Sequence, residues 1–107
     1  MDFEIIMDNN KFTIQKSGDK YILTACPQNA TGVITIPSGV NEIADGAFHG
    51  CTGITGLILP NCLNSFGDNV FKECPNLSTL DIDNAAVTRI GGRTFRAHFI
   101  LTAVNND

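Results

Sequence analysis

The chain has 107 residues and a mass of 11.5 kDa, too little for two independent cores. It is 43% hydrophobic and 17% charged, which excludes a disordered tail, and no apolar run reaches the roughly 18–20 residues of a membrane-spanning helix. A net charge of −4 disfavours non-specific nucleic-acid binding, and twelve Ile against seven Leu, with ten Gly, favour short strands and turns over a helical bundle.

In chain order, Met1 to Asp8 carries neither the basic start nor the long apolar stretch of a secretory signal peptide. That leaves two expectations: a cytoplasmic protein, or a trimmed piece of an exported one. Phe3-x-Ile5 fits a strand. Lys11 to Lys16 and Lys20 to Ala25 fit two more, joined by Ser17-Gly18-Asp19 in a hairpin. Residues 1–31 are therefore expected to form an N-terminal cap.

From Gly32 onward the chain repeats itself. Gly32–Ile54 laid over Thr55–Leu77, an offset of 23 without a gap, matches five residues identically. These are Pro37/Pro60, Asn41/Asn64, Asp45/Asp68, Phe48/Phe71 and Cys51/Cys74. Six further pairs stay apolar: Ile34/Leu57, Ile36/Leu59, Val40/Leu63, Ile43/Phe66, Ala47/Val70 and Ile54/Leu77. A third unit follows with one inserted residue, so that Leu80 and Ile82 keep the offset while Ile90, Phe95 and Leu101 fall one later. The expected units are 32–54, 55–77 and 78–101, with 102–107 a C-terminal strand or a truncated fourth repeat.

Each unit fits one turn of a solenoid. Ile34-x-Ile36, Leu57-x-Leu59 and Leu80-x-Ile82 alternate as half-buried strands do, and Pro37 and Pro60 stop the ladder. A second short extended piece carries Val40 and Ile43, Leu63 and Phe66, Val87 and Ile90. Asp45-Gly46, Gly67-Asp68 and Gly91-Gly92 mark turns, and the spacing Phe48-x-x-Cys51 predicts a single helical turn with both side chains inward. A lone coil cannot bury these residues. Stacking at about 4.8 Å sets like over like in continuous columns.

The run Val33-Ile34-Thr35-Ile36-Pro37 through Ala47-Phe48-His49-Gly50-Cys51 resembles the BspA-like leucine-rich repeat, I-x-I-P-x-x-V-x-x-I-x-x-x-A-F-x-x-C. The second unit is similar through Leu57, Leu59, Pro60, Leu63, Phe66, Phe71 and Cys74, with Val70 for Ala. The third departs, with Asp83 for Pro, Thr94 for Ala and His98 for Cys. The resemblance covers residues 20–101. It implies a right-handed, leucine-rich-repeat-like β-rich solenoid without catalytic machinery, on the cell surface or secreted, that adheres to protein ligands.

Several chemistries compete with plain packing as roles for the polar and sulfur side chains. Cys51, Cys74 and His98 share one column and are suitable zinc ligands, but the position is one the repeat uses for its core and a fourth ligand is missing. A Cys51–Cys74 disulfide is disfavoured, since parallel in-register Cβ vectors suit the disulfide dihedral poorly. His49 and His98 are the available imidazole bases, and no nucleophile motif or phosphate loop accompanies them, so no catalytic residue, cofactor or metal is expected. Asp81-Ile82-Asp83-Asn84 lacks calcium-loop spacing. Asn29-Ala30-Thr31 and Asn76-Leu77-Ser78 fit the glycosylation pattern alone.

All three arginines, Arg89, Arg93 and Arg96, lie in the third unit, where residues 89–107 sum to +2 against −6 for 1–88. They form a candidate basic patch for an acidic partner; a polar capping repeat is the simpler reading. Thr35, Ile58 and Asp81 share one outward register on the first strand and form the candidate interaction face. The expected function is non-catalytic protein–protein interaction of the adhesion type. The alternatives are a structural spacer or capping fragment of a longer array, and a thiol or zinc enzyme.

Overall fold

The computed structural model describes residues 2–81, 87–92 and 94. Nine strands run through them: β1 (Asp2–Met7), β2 (Asn10–Ser17), β3 (Lys20–Ala25), β4 (Thr31–Thr35), β5 (Glu42–Ile43), β6 (Gly53–Ile58), β7 (Ser65–Phe66), β8 (Thr79–Asp81) and β9 (Arg89–Ile90). They form two sheets, one ordered β1-β2-β3-β5-β7-β9 and the other β4-β6-β8. Among the described residues there is no helix.

The parallel pairings follow the sequence repeat. In the three-stranded sheet Ile34 pairs with Leu57 and Leu57 with Leu80, each a step of 23. In the larger sheet Ile43 pairs with Phe66 at the same step, but Phe66 pairs with Ile90 at 24. The step thus changes from 23 to 24 between β8 and β9, where the third unit has its inserted residue. Each repeat gives one strand to each sheet, and the strands stop before Pro37 and Pro60, which have no N–H to donate.

The N-terminal segment extends the larger sheet. β2 and β3 form the expected hairpin, closed over Gly18 at φ +62°, and β3 then lies parallel to β5 with Leu23 beside Ile43. β1 adds a third strand through Asp8 and Asn9, both at positive φ, the left-handed pair that a two-residue hairpin needs. One apolar row thus crosses all six strands: Phe3, Ile14, Leu23, Ile43, Phe66, Ile90. Its middle four members are buried, while Ile90 at the end is 53% exposed.

The core lies between the two sheets. Ile34, Leu57 and Leu80 face it from one side, and Val40, Ile43, Leu63 and Phe66 from the other. Phe71 sits between Phe48 and Phe66, with ring centroids 5.6 and 5.7 Å away. Tilted and edge-on pairs of this kind are the favoured aromatic contacts.

The single helical turn expected at Phe48–Cys51 is a run of hydrogen-bonded turns instead. Ala47, His49 and Cys51 donate their N–H groups three residues back, to Ala44, Gly46 and Phe48. The alternate residues Gly46, Phe48 and Gly50 donate to Asp68, Val70 and Lys72 in the next repeat, at 2.9–3.1 Å. Half the donors that would continue a helix therefore tie one repeat to the next. Both side chains still face inward, as the three-residue spacing requires. The segment opens and closes with left-handed residues, Gly46 and Gly50, whose places in the second unit are taken by Asn69 and Glu73 at φ 54° and 60°.

Candidate functional site

On β4 and β6 the inward residues Ile34 and Leu57 alternate with outward ones, and pairing aligns the outward positions across the sheet. Thr35, Ile58 and Asp81 are direct partners in this ladder, so the row expected from sequence exists as a geometric unit. Ile58 is 40% exposed, and Thr35 and Asp81 are half-buried beside it. The next row is Val33, Gly56 and Thr79. Gly56 leaves room for the Thr79 hydroxyl, which lies where a side chain would begin, and Val33 stands 58% exposed above it.

At the C-terminal ends of β4 and β6 the face runs into a cleft of about 220 Å³ lined by Met7, Thr35, Ser38, Ile58, Pro60 and Asn61. Met7 comes from β1 in the other sheet. The outward register of the repeat predicts Thr35, Ile58 and Asp81 on this face, but not Val33 or Met7. Val33 was detectable as the outward residue two before Thr35; nothing in the local sequence of Met7 shows which end of β4 it meets.

The candidate basic residues occupy a different surface. Arg89 is exposed on β9 and ends the outward row Gln15, Ile22, Glu42, Ser65, Arg89 of the six-stranded sheet. It borders a groove shared with Glu42, Asp45 and Asp68. Lys20 pairs with Glu42 at 3.0 Å. Arg93 and Arg96 lie outside the described residues, as do Asp83, His98 and the segment 102–107. Arg89 and Ile58 therefore belong to separate sheets and do not form one site.

The thiol column is longer at its N-terminal end than the repeat alone implies. Cys26, Cys51 and Cys74 are free and buried, and Cys62 is half-buried elsewhere. Cys26 was outside the sequence-derived column because it precedes Cys51 by 25 residues rather than 23. Each of the lower two thiols meets a main-chain carbonyl of the segment before it, Cys51 in the N-terminal segment and Cys74 in the preceding repeat. Cys51 donates to Pro27 O at 3.6 Å, and Cys74 to Phe48 O at 2.9 Å. A hydrogen bond between the Cys26 and Cys51 thiols, with burial added, holds Cys26 well above the usual thiol range, and the same bond draws Cys51 down. Burial pushes Cys74 up to about 11. Cys26 and Cys74 are thus neutral core thiols at ordinary pH.

Among the described residues no group of three or more His, Cys, Asp or Glu side chains is placed to hold a metal ion. His49 turns outward to Glu73, 3.6 Å away. Asn76, one of the two glycosylation-pattern asparagines, uses its side-chain amide to reach Thr52 O at 2.8 Å, bridging successive repeats.

The family model described as "BspA type Leucine rich repeat region (6 copies)" matches residues 19–105. No curated protein matches the chain. Among solved structures, the crystal structure of a leucine rich cell surface protein from Faecalibacterium prausnitzii A2-165 shares its fold, with a TM-score of 0.72 and 23% sequence identity. The match covers 95% of this chain and 30% of that one, so the chain spans less than a third of its structural relative. With the parallel ladders, the 23-residue step and a family match over most of the sequence, the chain belongs to the BspA-type leucine-rich repeat family.

Proposed function

We propose that this chain is a non-catalytic protein-binding module of the adhesion type, a right-handed stack of coils working at a cell surface. Its ligand lies across the outward face of β4, β6 and β8, over Thr35, Ile58 and Asp81, with Val33 widening the apolar part. The observation that carries this reading is the exposure of Val33 and Ile58 on one parallel sheet. Solvent-facing positions of such a sheet have no packing need for apolar side chains, whereas a contact surface does. The cell-surface character of the solved relative supports the location.

The test uses immobilised extracellular-matrix proteins and intact bacterial cells as probes. The chain should be retained by at least one of them. Ile58→Asp and Asp81→Lys should each weaken that retention about tenfold or more while leaving the melting temperature within about 2 °C. Retention unchanged in both variants, or no retention by any probe, would remove the reading and leave the spacer alternative.

A further inference from the structure

The segment that leaves β3 lies along the turns of the first repeat. Cys26 N–H donates to Ala47 O at 3.0 Å, and Gln28 Nε2 reaches His49 O at 3.2 Å. Cys51 closes those turns and aims its thiol back at the same segment, 3.9 Å from Cys26 O and 3.6 Å from Pro27 O. The two thiols also hydrogen-bond to each other, at 7% exposure for Cys26 and 0% for Cys51.

Cys74 stands differently. It holds the same place in its repeat as Cys51, one step of 23 later, and its thiol donates to Phe48 O at 2.9 Å. Cys26 precedes Cys51 by 25 residues, out of that register. Side chains out of step can turn toward one another, as the near-perpendicular dihedral of a disulfide requires; in-register parallel ones suit it poorly. The contact is thus thiol to thiol at Cys26 and Cys51, and thiol to carbonyl at Cys74.

We propose that Cys26 and Cys51 are an oxidation site, closed to a disulfide by small-molecule disulfides of an oxidising compartment. Entry is from the Cys26 side, which exposed Ala25 and Gln28 flank. The thiolate of one cysteine attacks a sulfur of the reagent, forming a mixed disulfide and releasing one reagent thiol. The thiolate of the other attacks the protein sulfur of that mixed disulfide, forming the Cys26–Cys51 bond and releasing the second reagent thiol. Two protein thiols are oxidised and one reagent disulfide is reduced. The two cysteine protons end on the two released thiols.

The bridge encloses β4 and β5, one whole coil, and ties it to the end of β3. It locks the N-terminal hairpin onto the first repeat. A closed loop of this length restricts the unfolded chain, so the oxidised protein is the more stable form. The site needs no ligand on the β4-β6-β8 face, and the two proposals fail independently.

The test uses folded Cys62→Ala protein, which lacks the half-buried fourth thiol, and hydroxyethyl disulfide at about pH 8. The products are mapped by mass spectrometry after cleavage at Glu4, Glu42 and Glu73, which separates Cys26, Cys51 and Cys74 into three fragments. Residues 5–42 should emerge joined to residues 43–73, and dithiothreitol should part them. The bridged protein should melt about 5 °C or more above the reduced one. Adding Cys26→Ser should abolish the link while circular dichroism stays that of the parent. Thiols that stay free in the folded Cys62→Ala protein would overturn the proposal. So would reagent adducts without a bridge, a bridge to residues 74–107 in place of this one, or a bridged protein no more stable than the reduced.

Discussion

The backbone N–H of Asp68 donates to Asp45 Oδ1 at 2.7 Å, and these two residues hold the same place in successive repeats. One repeat later Gly92 N–H donates to Asp68 Oδ1, again at 2.7 Å. Each carboxylate thus satisfies a donor of the next repeat. A charged acceptor makes this among the stronger hydrogen bonds available to the backbone.

Asp45→Ala should therefore destabilise the fold by about 1 kcal/mol despite the exposure of the side chain. Asp45→Asn keeps an acceptor oxygen and should lose less. Urea unfolding of the two variants checks the order, and equal losses would show that the carboxylate merely decorates the turn.

Gly67 lies beneath the Asp45 carboxylate, and a Cβ there would meet the Asp45 backbone nitrogen at 2.6 Å. Backbone cannot rotate aside as a flexible side chain does. Gly67→Ala should cost about 1–3 kcal/mol as an overpacking change, read from the shift in urea midpoint. An unshifted midpoint would mean that the Gly67 and Asp45 backbones lie further apart than this contact requires.

Phe71 is buried between Phe48 and Phe66 in the middle repeat. Its truncation removes ring contacts on both sides, and Phe71→Ala should cost about 3–5 kcal/mol. Calorimetry should show a large fall in melting temperature, or no folded protein at all. A melting temperature like that of the wild type would contradict the assignment of Phe71 to the core.

Burial raises the Cys74 thiol from its ordinary 9.0 to about 11. The folded chain holds that proton more tightly than the unfolded one, so this contribution is complete below pH 9 and is lost as pH rises towards 11. Cys26 acts in the same direction, and Cys51, drawn down by its bond to Cys26, opposes them. Melting temperature should fall across pH 9–11, and less steeply in Cys74→Ala. At neutral pH the half-buried Cys62 should alkylate before Cys26, Cys51 and Cys74. Rapid labelling of Cys51 and Cys74 in the folded protein would revive the reactive-thiol alternative.

The repeat made much of this geometry legible in advance. An offset of 23 fixes which residues pair across the sheet, so it aligns Thr35 with Ile58 and Asp81. The extra residue of the third unit returns as the 24-residue step from Phe66 to Ile90. What failed was local. The i, i+3 spacing of Phe48 and Cys51 sets the facing of their side chains, but it cannot show that alternate N–H groups are taken by the next repeat. The turn at Asp8-Asn9 was missed because it lacks the glycine that marks most such hairpins. Cys26 lies outside the repeated units, where the offset does not reach. The charge of the third unit, summed along the chain, says nothing of which sheet carries Arg89.

The proposed ligand surface is the outward face of β4, β6 and β8. Methyl-detected NMR of the chain, titrated with whichever matrix protein retains it, tests this most directly. The Ile58 and Val33 methyl signals should shift or broaden with added ligand, while the Ile90 methyl, at the end of the other sheet, stays in place. A titration that moves Ile90 and leaves Ile58 and Val33 untouched would place the ligand elsewhere than on the β4-β6-β8 face.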